Sequence, residues 1–228
     1  NSSAASDVYK RQITEREKEI ELFKPEEYWT LTSDFINNDN KSTIWRGPMV
    51  ARMTQQFFDN VNWGDLDFLF IDLPPGTGDI QLTLVQKIAL NGAIIVTTPQ
   101  DLSLIDVAKG SDMFRKVNVP ILGVVENMSN YCVKGKISGI DNYKDINLLL
   151  ENEKININSN GDFEISFNIF SGLGGSKESD RLDVPLLGKL NIDSHLSSCA
   201  DSGTPYVLED LDTYNSKEFY NISKKIID

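Results

Sequence analysis

Cysteine, histidine and long apolar runs are all scarce in this sequence, and each scarcity excludes a class of protein. Two cysteines and one histidine in 228 residues exclude a disulfide-stapled scaffold. They indicate a reducing compartment, or thiols with another use. No stretch approaches the ~18 consecutive apolar residues that a membrane-spanning helix needs. These absences predict a soluble, intracellular protein that does not insert into a membrane.

Basic side chains are also in deficit. The chain has 22 lysines and arginines against 34 aspartates and glutamates, a formal net charge of -12. Binding along a nucleic-acid backbone needs a basic field, so no nucleic-acid partner is expected. The remaining composition is ordinary, with 40% hydrophobic and 25% charged residues. At this length, one α/β or β domain with a real hydrophobic core is the first expectation.

The first 43 residues carry little structural pattern. The chain starts without methionine, and residues 1–12 are small, polar and unpatterned, which predicts a non-native tail. Residues 13–43 are predicted to be a lead-in segment, charged and weakly helical, with Pro25 interrupting the pattern. A targeting segment would lie before these residues, so the cytosol, the plastid stroma and the mitochondrial matrix all stay open as locations.

The part of the chain from residue 44 onward alternates short apolar runs with longer amphipathic segments, which predicts an α/β fold. Near-continuous apolar text is typical of strands buried in a parallel sheet. The predicted strands are 66–73, 92–98, 120–126 and 184–190. The predicted helices are 49–61, 80–90, 101–117, 193–199 and 216–227. With short connections and right-handed crossovers, this order predicts a doubly wound, mostly parallel sheet.

One stretch of this predicted domain, residues 134–168, does not follow the α/β pattern. Seven asparagines lie between residues 141 and 168, and no helical or strand period is visible there. We predict a surface insertion in an otherwise single domain of residues 44–228, with a small hairpin at about 162–169.

The most informative string is FIDLPPGTGD at residues 70–79. Asp72 follows a buried strand, at the edge where open α/β sheets bind ligands. Two prolines stiffen the exit, and Gly76 lets a backbone N–H approach a ligand closely. Such a loop suits Mg²⁺ and a terminal phosphate. The alternative is a rigid turn in which Asp72 merely caps the following helix.

Further strings occur in a fixed order around this loop. They are WRGPM at 45–49, TPQD at 98–101, FRKVNVPILGVVENMS at 114–129, VPLLGKLNID at 184–193 and DSGTP at 201–205. Together with the PPGTGD loop they closely resemble the Mrp family of P-loop ATPases. That family is a branch of the MinD/ParA group that carries or assembles iron–sulfur clusters. The resemblance covers roughly residues 44–129 and 170–205.

The resemblance implies roles for individual residues. Asp72 matches the carboxylate that holds Mg²⁺ through water, and Gly76 matches the glycine whose N–H faces the γ-phosphate of ATP. Asn127 matches the residue whose side-chain amide recognises adenine, a task that needs both a donor and an acceptor. The alternative for Asn127 is a turn residue that ends a strand. Asp193 is a weaker candidate for the loop that passes the base, because Asn191 stands where proline is usual.

The sequence departs from the family at the phosphate-binding loop. No Gly-x-x-x-x-Gly-Lys-Ser/Thr string occurs in the 228 residues. We therefore expect a sequence truncated at its start, lacking the first strand and the Walker A loop of the P-loop fold. The residues given should not hydrolyse ATP, because the triphosphate has no cradle.

The second departure concerns cysteine. Many members of the family carry Cys-x-x-Cys shortly after ENMS, so that a dimer supplies four thiolates to a [4Fe–4S] cluster. Here only Cys132 lies in that region, as one cluster ligand or as an ordinary small apolar residue. Chloroplast-type scaffold members also lack the pair. Cys199 is expected to pack on a helix, and His195 to lie on the surface.

The resemblance implies an iron–sulfur cluster carrier or assembly ATPase that uses ATP and Mg²⁺. It would act as a homodimer and pass clusters, for example of the [4Fe–4S] type, to apoproteins. Two alternatives stay open: a ParA/MinD-like positioning ATPase, and a nucleotide-independent scaffold derived from the family. The acidic composition and the weakly amphipathic C-terminal segment disfavour the positioning ATPase.

Overall fold

The computed structural model describes residues 28–31, 66–73, 79–139, 146–150 and 153–227. The strands are β1 Tyr28–Leu31, β2 Phe68–Ile71, β3 Ala93–Thr97, β4 Ile121–Glu126, β5 Tyr131–Lys136, β6 Leu148–Leu150, β7 Glu153–Ile155, β8 Asp162–Phe167 and β9 Leu186–Lys189. The helices are α1 Asp79–Lys87, α2 Asp101–Lys116, α3 Gly174–Leu182, α4 Ser194–Ser202, α5 Tyr206–Glu209 and α6 Tyr214–Ile227. None of these helices is both long and apolar enough to cross a membrane.

The chain divides into two compact units. The first contains the described residues up to Ile95 together with Ile105–Leu122 and His195–Leu211. The second contains Val96–Leu104, Gly123–Ser194 and the described part of Asp212–Asp228.

The core of the first unit joins α1, the start of β3 and the C-terminal part of α2. Its fully buried members are Val85, Ala93, Met113 and Val119. They come from segments whose apolar residues recur at helical or strand spacing, so each segment directs one face inward. Beside this core, β1 and β2 form a parallel pair in which Tyr28 is opposite Phe68.

The prediction of a parallel sheet is confirmed for three of the four predicted strands. Strands β3, β4 and β9 form one sheet in that order, and β4 and β9 pair in parallel. The Ala93 N–H donates to the Pro120 carbonyl, and the Asn127 N–H donates to the Thr97 carbonyl. Strands β3 and β4 therefore also run in the same direction. The α/β fold class predicted from the sequence is correct.

The strand predicted at 66–73 is shorter and less buried than its apolar text indicates. It covers Phe68–Ile71, and the side chain of Phe70 is 40% exposed. The prediction of parallel pairing is confirmed, but the prediction of burial on both faces is wrong. Within the described residues, β1 is the only strand hydrogen-bonded to it, so that sheet has only two strands.

The hairpin predicted at about 162–169 has a different partner. Strand β8 pairs in antiparallel fashion with β5, across 25 intervening residues, and a separate short hairpin joins β6 and β7. The β5–β8 pair carries the ion pairs Lys134–Glu164 and Lys136–Asp162. Each ion pair joins residues that lie directly opposite each other on the two strands. Because β5 and β8 are far apart in the sequence, local turn signals do not predict that they pair.

Helices α3 and α5 were not predicted. The segment 170–175 (FSGLGG) reads as a flexible loop, yet α3 begins at Gly174. The predicted helix 101–117 corresponds closely to α2, and the predicted helices 80–90, 193–199 and 216–227 correspond to α1, α4 and α6 with shifted ends. The predicted helix 49–61 lies outside the described residues.

Candidate functional site

The carboxyl ends of β4 and β9 lie side by side in the second unit and are joined by loop hydrogen bonds. Open parallel sheets bind their ligands at this edge. The Leu190 N–H donates to the Glu126 carbonyl at 2.8 Å, and the Ser129 N–H donates to the Leu190 carbonyl at 2.9 Å. The Ile192 N–H donates to the Asn130 carbonyl at 2.7 Å. The segments 126–130 and 190–193, which carry Asn127 and Asp193, therefore run alongside each other.

Asn127 is the first residue after β4 and is half-buried. Its Oδ1 atom accepts a hydrogen bond from the Met128 N–H at 2.8 Å. Met128 has a φ of 58°, so the chain turns sharply there. None of the described residues accepts a hydrogen bond from the Asn127 Nδ2 group. The side chain is held by its own loop and retains donor capacity for a ligand.

Asp193 follows the hydrogen-bonded stretch and directly precedes α4. It is half-buried and has a polar partner of its own. Asn191, at the position where the resemblance leads one to expect proline, uses the N–H that a proline would lack. That N–H donates to Asn215 Oδ1 at 2.8 Å, and Asn215 Nδ2 donates to the Asn191 carbonyl at 3.1 Å. Asn215 is buried on α6, so this reciprocal pair fixes the segment that carries Asp193.

Glu126, the last residue of β4, is a buried carboxylate that sequence analysis missed. Its side chain is 3% exposed and lies 3.0 Å from the Lys189 ammonium. It also accepts hydrogen bonds from the Gly175 N–H at 2.8 Å and the Ser129 hydroxyl at 3.1 Å. A buried charge is costly unless it is paired and hydrogen-bonded, and Glu126 has both kinds of partner. The signal was an acidic residue ending an apolar strand, the same pattern that identified Asp72.

The two glycines that open α3 are required by close contacts at this edge. The Gly174 N–H donates to the Pro99 carbonyl at 3.0 Å, and a Cβ at this position would overlap the Thr98 carbonyl oxygen. A Cβ on Gly175 would lie 2.6 Å from the Cβ of Glu126. The glycine-rich segment is therefore the ordered start of a helix, locked to the ends of β3 and β4.

Asp72 and Gly76 are placed differently from Asn127 and Asp193. Asp72 follows β2 in the first unit, is exposed and has a polar partner. Gly76 lies outside the described residues. Asn127 and Asp193 both belong to the second unit, and the structure brings their two segments together.

Cys132 lies on β5, just after the Asn127 loop. Its thiol donates a hydrogen bond to Glu164 Oε1 at 2.8 Å. Desolvation by burial, the hydrogen bond to Glu164 and the charge of Glu164 together raise the pKa of the Cys132 thiol to about 11, against a smaller opposing effect of Lys134. In this arrangement Cys132 is a protonated thiol at neutral pH. A metal ion or cluster would have to displace both the proton and Glu164.

The two residues expected to be unremarkable lie together on α4. Cys199 is buried, as predicted, and His195 is half-exposed. His195 is more than a surface residue, because its ring contacts Glu209 and Cys199.

Residues 7–161 match the family described as "ParA: NUBPL iron-transfer P-loop NTPase". Curated relatives include the "Iron-sulfur cluster carrier protein" of Deinococcus radiodurans, 42% identical over 168 residues, which are 74% of this chain and 40% of that protein. Another is the "Iron-sulfur cluster transfer protein NUBPL" of Mus musculus, 34% identical over 198 residues, 86% of this chain and 53% of that protein. The chain thus spans about half the length of the curated relatives it matches.

Two solved structures share the fold. One is a nucleotide-binding protein in complex with ADP from Archaeoglobus fulgidus, with a TM-score of 0.56 and 22% identity over 96% of this chain and 86% of that one. The other is the cell division ATPase MinD of Pyrococcus furiosus, with a TM-score of 0.50 and 18% identity over 78% of this chain and 58% of that one. At these identities the likeness concerns the fold alone.

Proposed function

This chain belongs to the family of NUBPL iron-transfer P-loop NTPases, and we propose that it carries iron–sulfur clusters to apoproteins under the control of a bound nucleotide. The observation that carries the proposal is the hydrogen-bonded pair of segments 126–130 and 190–193 at the carboxyl edge of the parallel sheet. These two segments would form one side of a pocket for a purine base, at the edge where open parallel sheets bind ligands.

The residues at this edge fit an adenine ring. Asn127 keeps donor capacity at Nδ2, and its Oδ1 has a second lone pair, so it can both donate to and accept from the edge of the base. Asp193 lies on the neighbouring segment as a further acceptor. The Asn191–Asn215 pair and the Glu126 network hold the two segments in position before a nucleotide arrives.

Asp72 and Gly76 are the candidate residues for contacts with the phosphates. We propose that Asp72 holds Mg²⁺ through water and that the Gly76 N–H faces the γ-phosphate. Bound Mg²⁺ would neutralise phosphate charge. Asp72 suits this role because it is an exposed carboxylate directly after a strand. The proposal treats residues 44–228 as one P-loop NTPase domain with an insertion at 134–168.

The cluster itself is the cargo, and Cys132 is the proposed ligand in this chain. Two copies in a homodimer would bring two Cys132 thiolates to one cluster, and other groups would complete its coordination. Because the Cys132 thiol donates a hydrogen bond to Glu164, loading the cluster requires this hydrogen bond to break and the thiol to lose its proton.

The experiment is anaerobic cluster reconstitution of the protein expressed from its own start codon. Visible absorbance and iron content per chain are compared between wild type and Cys132→Ser, which keeps the size but loses the soft thiolate. We expect a bound cluster in wild type and at least a halved iron content in the variant. Ser166→Ala serves as the matched control, because Ser166 is the residue opposite Cys132 on β8 and carries no thiol.

Three outcomes would redirect the proposal. Equal cluster content in wild type and Cys132→Ser would clear Cys132 of a ligand role. The absence of a cluster from both proteins, with ATP binding retained, would favour a positioning ATPase, and the absence of both would favour a nucleotide-independent scaffold.

A further inference from the structure

We propose that His195, Cys199 and Glu209 form a zinc site with one open coordination position. These residues belong to the first unit, whereas Asn127 and Cys132 belong to the second, so the proposal does not depend on the proposed function. An imidazole, a thiolate and a carboxylate are the three side chains that zinc sites use.

Local structure explains why the three residues meet. His195 and Cys199 are four residues apart on α4, so their side chains lie on the same face of the helix, one turn apart. The helix ends at Ser202, and the next residue, Gly203, has a φ of 72° in the left-handed region. The Gly203 N–H donates to the Ala200 carbonyl and the Thr204 N–H to the Cys199 carbonyl, the pattern of a Schellman cap. This cap reverses the chain, and Glu209, the last residue of α5, returns to the face of α4 that carries Cys199.

The distances among the three groups match a tetrahedral ion. With Zn–N and Zn–O bonds of about 2.0–2.1 Å and a Zn–S bond of about 2.3 Å, ligand atoms in a tetrahedral site lie roughly 3.3–3.6 Å apart. In the structure, His195 Nε2 lies 3.0 Å from Glu209 Oε2 and 3.7 Å from Cys199 Sγ. Cys199 Sγ lies 3.6 Å from Glu209 Oε2. Cys199 Sγ lies nearly as close to His195 Nδ1, at 3.9 Å, as to Nε2. An ion at the centre would therefore need a small widening of the His195–Glu209 contact and a rotation of the His195 ring that directs Nε2 towards it.

The surroundings favour a site that is half-enclosed. Cys199 is 3% exposed, whereas the side chains of His195 and Glu209 are 51% and 42% exposed. The buried ring of Tyr206 lies 5.6 Å from the His195 ring. The thiolate would thus lie at the floor and the other two ligands at the rim. Three protein ligands with an open fourth position are typical of zinc sites that exchange a ligand.

Cobalt(II) is the probe for this site, because it takes the same geometry as zinc and absorbs visible light. The tag-free 228-residue chain is stripped with a chelator and titrated anaerobically with cobalt(II). We expect one ion per chain, the visible bands of a tetrahedral ion and a near-ultraviolet thiolate charge-transfer band. Equimolar zinc(II) should remove all of these bands.

The variants assign the bands, because the chain has only two cysteines and one histidine. Cys199→Ser should abolish the charge-transfer band, and Cys132→Ser should leave it intact. Glu209→Gln should weaken cobalt(II) binding at least about tenfold, since loss even of groups that only support metal ligands costs 10–100-fold. Asp210→Asn, the same change at the next residue, is its matched control and should bind as wild type does.

Each result decides the matter. Because Glu209 is partly exposed, Glu209→Gln should leave the fold intact, which circular dichroism checks, so a failure of Cys199→Ser to fold does not remove the test. A wild-type chain without tetrahedral bands, bands that survive Cys199→Ser, or equal affinities for Glu209→Gln and Asp210→Asn would overturn the zinc site.

Discussion

Glu126 is predicted to be the residue that locks the carboxyl edge of the sheet, and its replacement tests this role. In Glu126→Ala the Lys189 ammonium loses its partner and the Gly175 N–H loses its acceptor. The Ser129 hydroxyl loses one of its two acceptors and keeps the Glu126 backbone carbonyl at 3.0 Å. In Glu126→Gln the side chain keeps its shape and its oxygen can still accept from Gly175, but the charge is lost.

The size of the effect follows from burial. Glu126 is 3% exposed, so water cannot replace its partners without rearrangement. Breaking a buried ion pair by removing one member costs about 3–5 kcal/mol, and a hydrogen bond to a charged group contributes about 1.5–3 kcal/mol. We expect a loss of about 3–5 kcal/mol in the free energy of unfolding for Glu126→Ala and about 1–3 kcal/mol for Glu126→Gln. Lys189→Met leaves the buried Glu126 carboxylate without its counter-charge, so it should cost at least as much as Glu126→Gln although Lys189 itself is 37% exposed.

The assay combines denaturant unfolding with amide hydrogen exchange. Unfolding midpoints and slopes give the change in free energy, and exchange shows where the structure opens. Protection should fall first at the start of α3, because the Gly175 N–H has lost its acceptor. A Glu126→Ala variant that is destabilised by less than about 1 kcal/mol, with α3 as protected as in wild type, would refute the reasoning.

Three further predictions concern chemistry. At pH 8 roughly 0.1% of Cys132 is thiolate with a pKa of about 11, against roughly 10% at its ordinary value of 9.0. Glu164→Gln removes the Glu164 charge, one of the causes that raise this pKa, so alkylation of Cys132 should become severalfold faster, as followed by peptide mass spectrometry. An unchanged rate, or the same gain in the control Asp162→Asn, would contradict this. In the protein expressed from its own start codon, Asn127→Ala should weaken the preference for ATP over GTP more than it lowers turnover at saturation, because its proposed contact is with the base and not with the reacting phosphate. Competition assays measure the preference and steady-state kinetics measure the turnover. Unchanged discrimination would count against the base role. Residues 1–228 alone should release no phosphate from ATP above a no-enzyme control, because they contain no Walker A string. If phosphate release is observed, and if Asp72→Ala abolishes it, the Walker A string is not needed for hydrolysis.

Patterns of short range predicted much of the fold. Strands β3, β4 and β9 and helix α2 follow from apolar runs and helical spacing, because their own side chains form the buried faces. The start of α3 could not be predicted in this way. Gly174 and Gly175 are poor helix formers. Glycine is required at both positions because distant backbone and Glu126 leave no room for a Cβ.

The candidate site, too, was predicted from local patterns only in part. Asn127 was identified from a motif, but the contact between its loop and the segment 190–193 is a long-range hydrogen-bond pattern that no local spacing encodes. The His195–Cys199 spacing was visible in the sequence as an i, i+4 pair. Only the reversal of the chain at Gly203 brings Glu209 to it, and the sequence alone gave no sign of that third group.

Cluster transfer tests the central claim most directly. The protein expressed from its own start codon, loaded with an iron–sulfur cluster under anaerobic conditions, is mixed with an apo-dehydratase that regains activity only when it receives a [4Fe–4S] cluster. The account predicts recovery of dehydratase activity that depends on the loaded protein and changes in rate when Mg·ATP is added, with the nucleotide effect lost in Asp72→Ala. Recovery no faster than with free iron and sulfide would contradict the account.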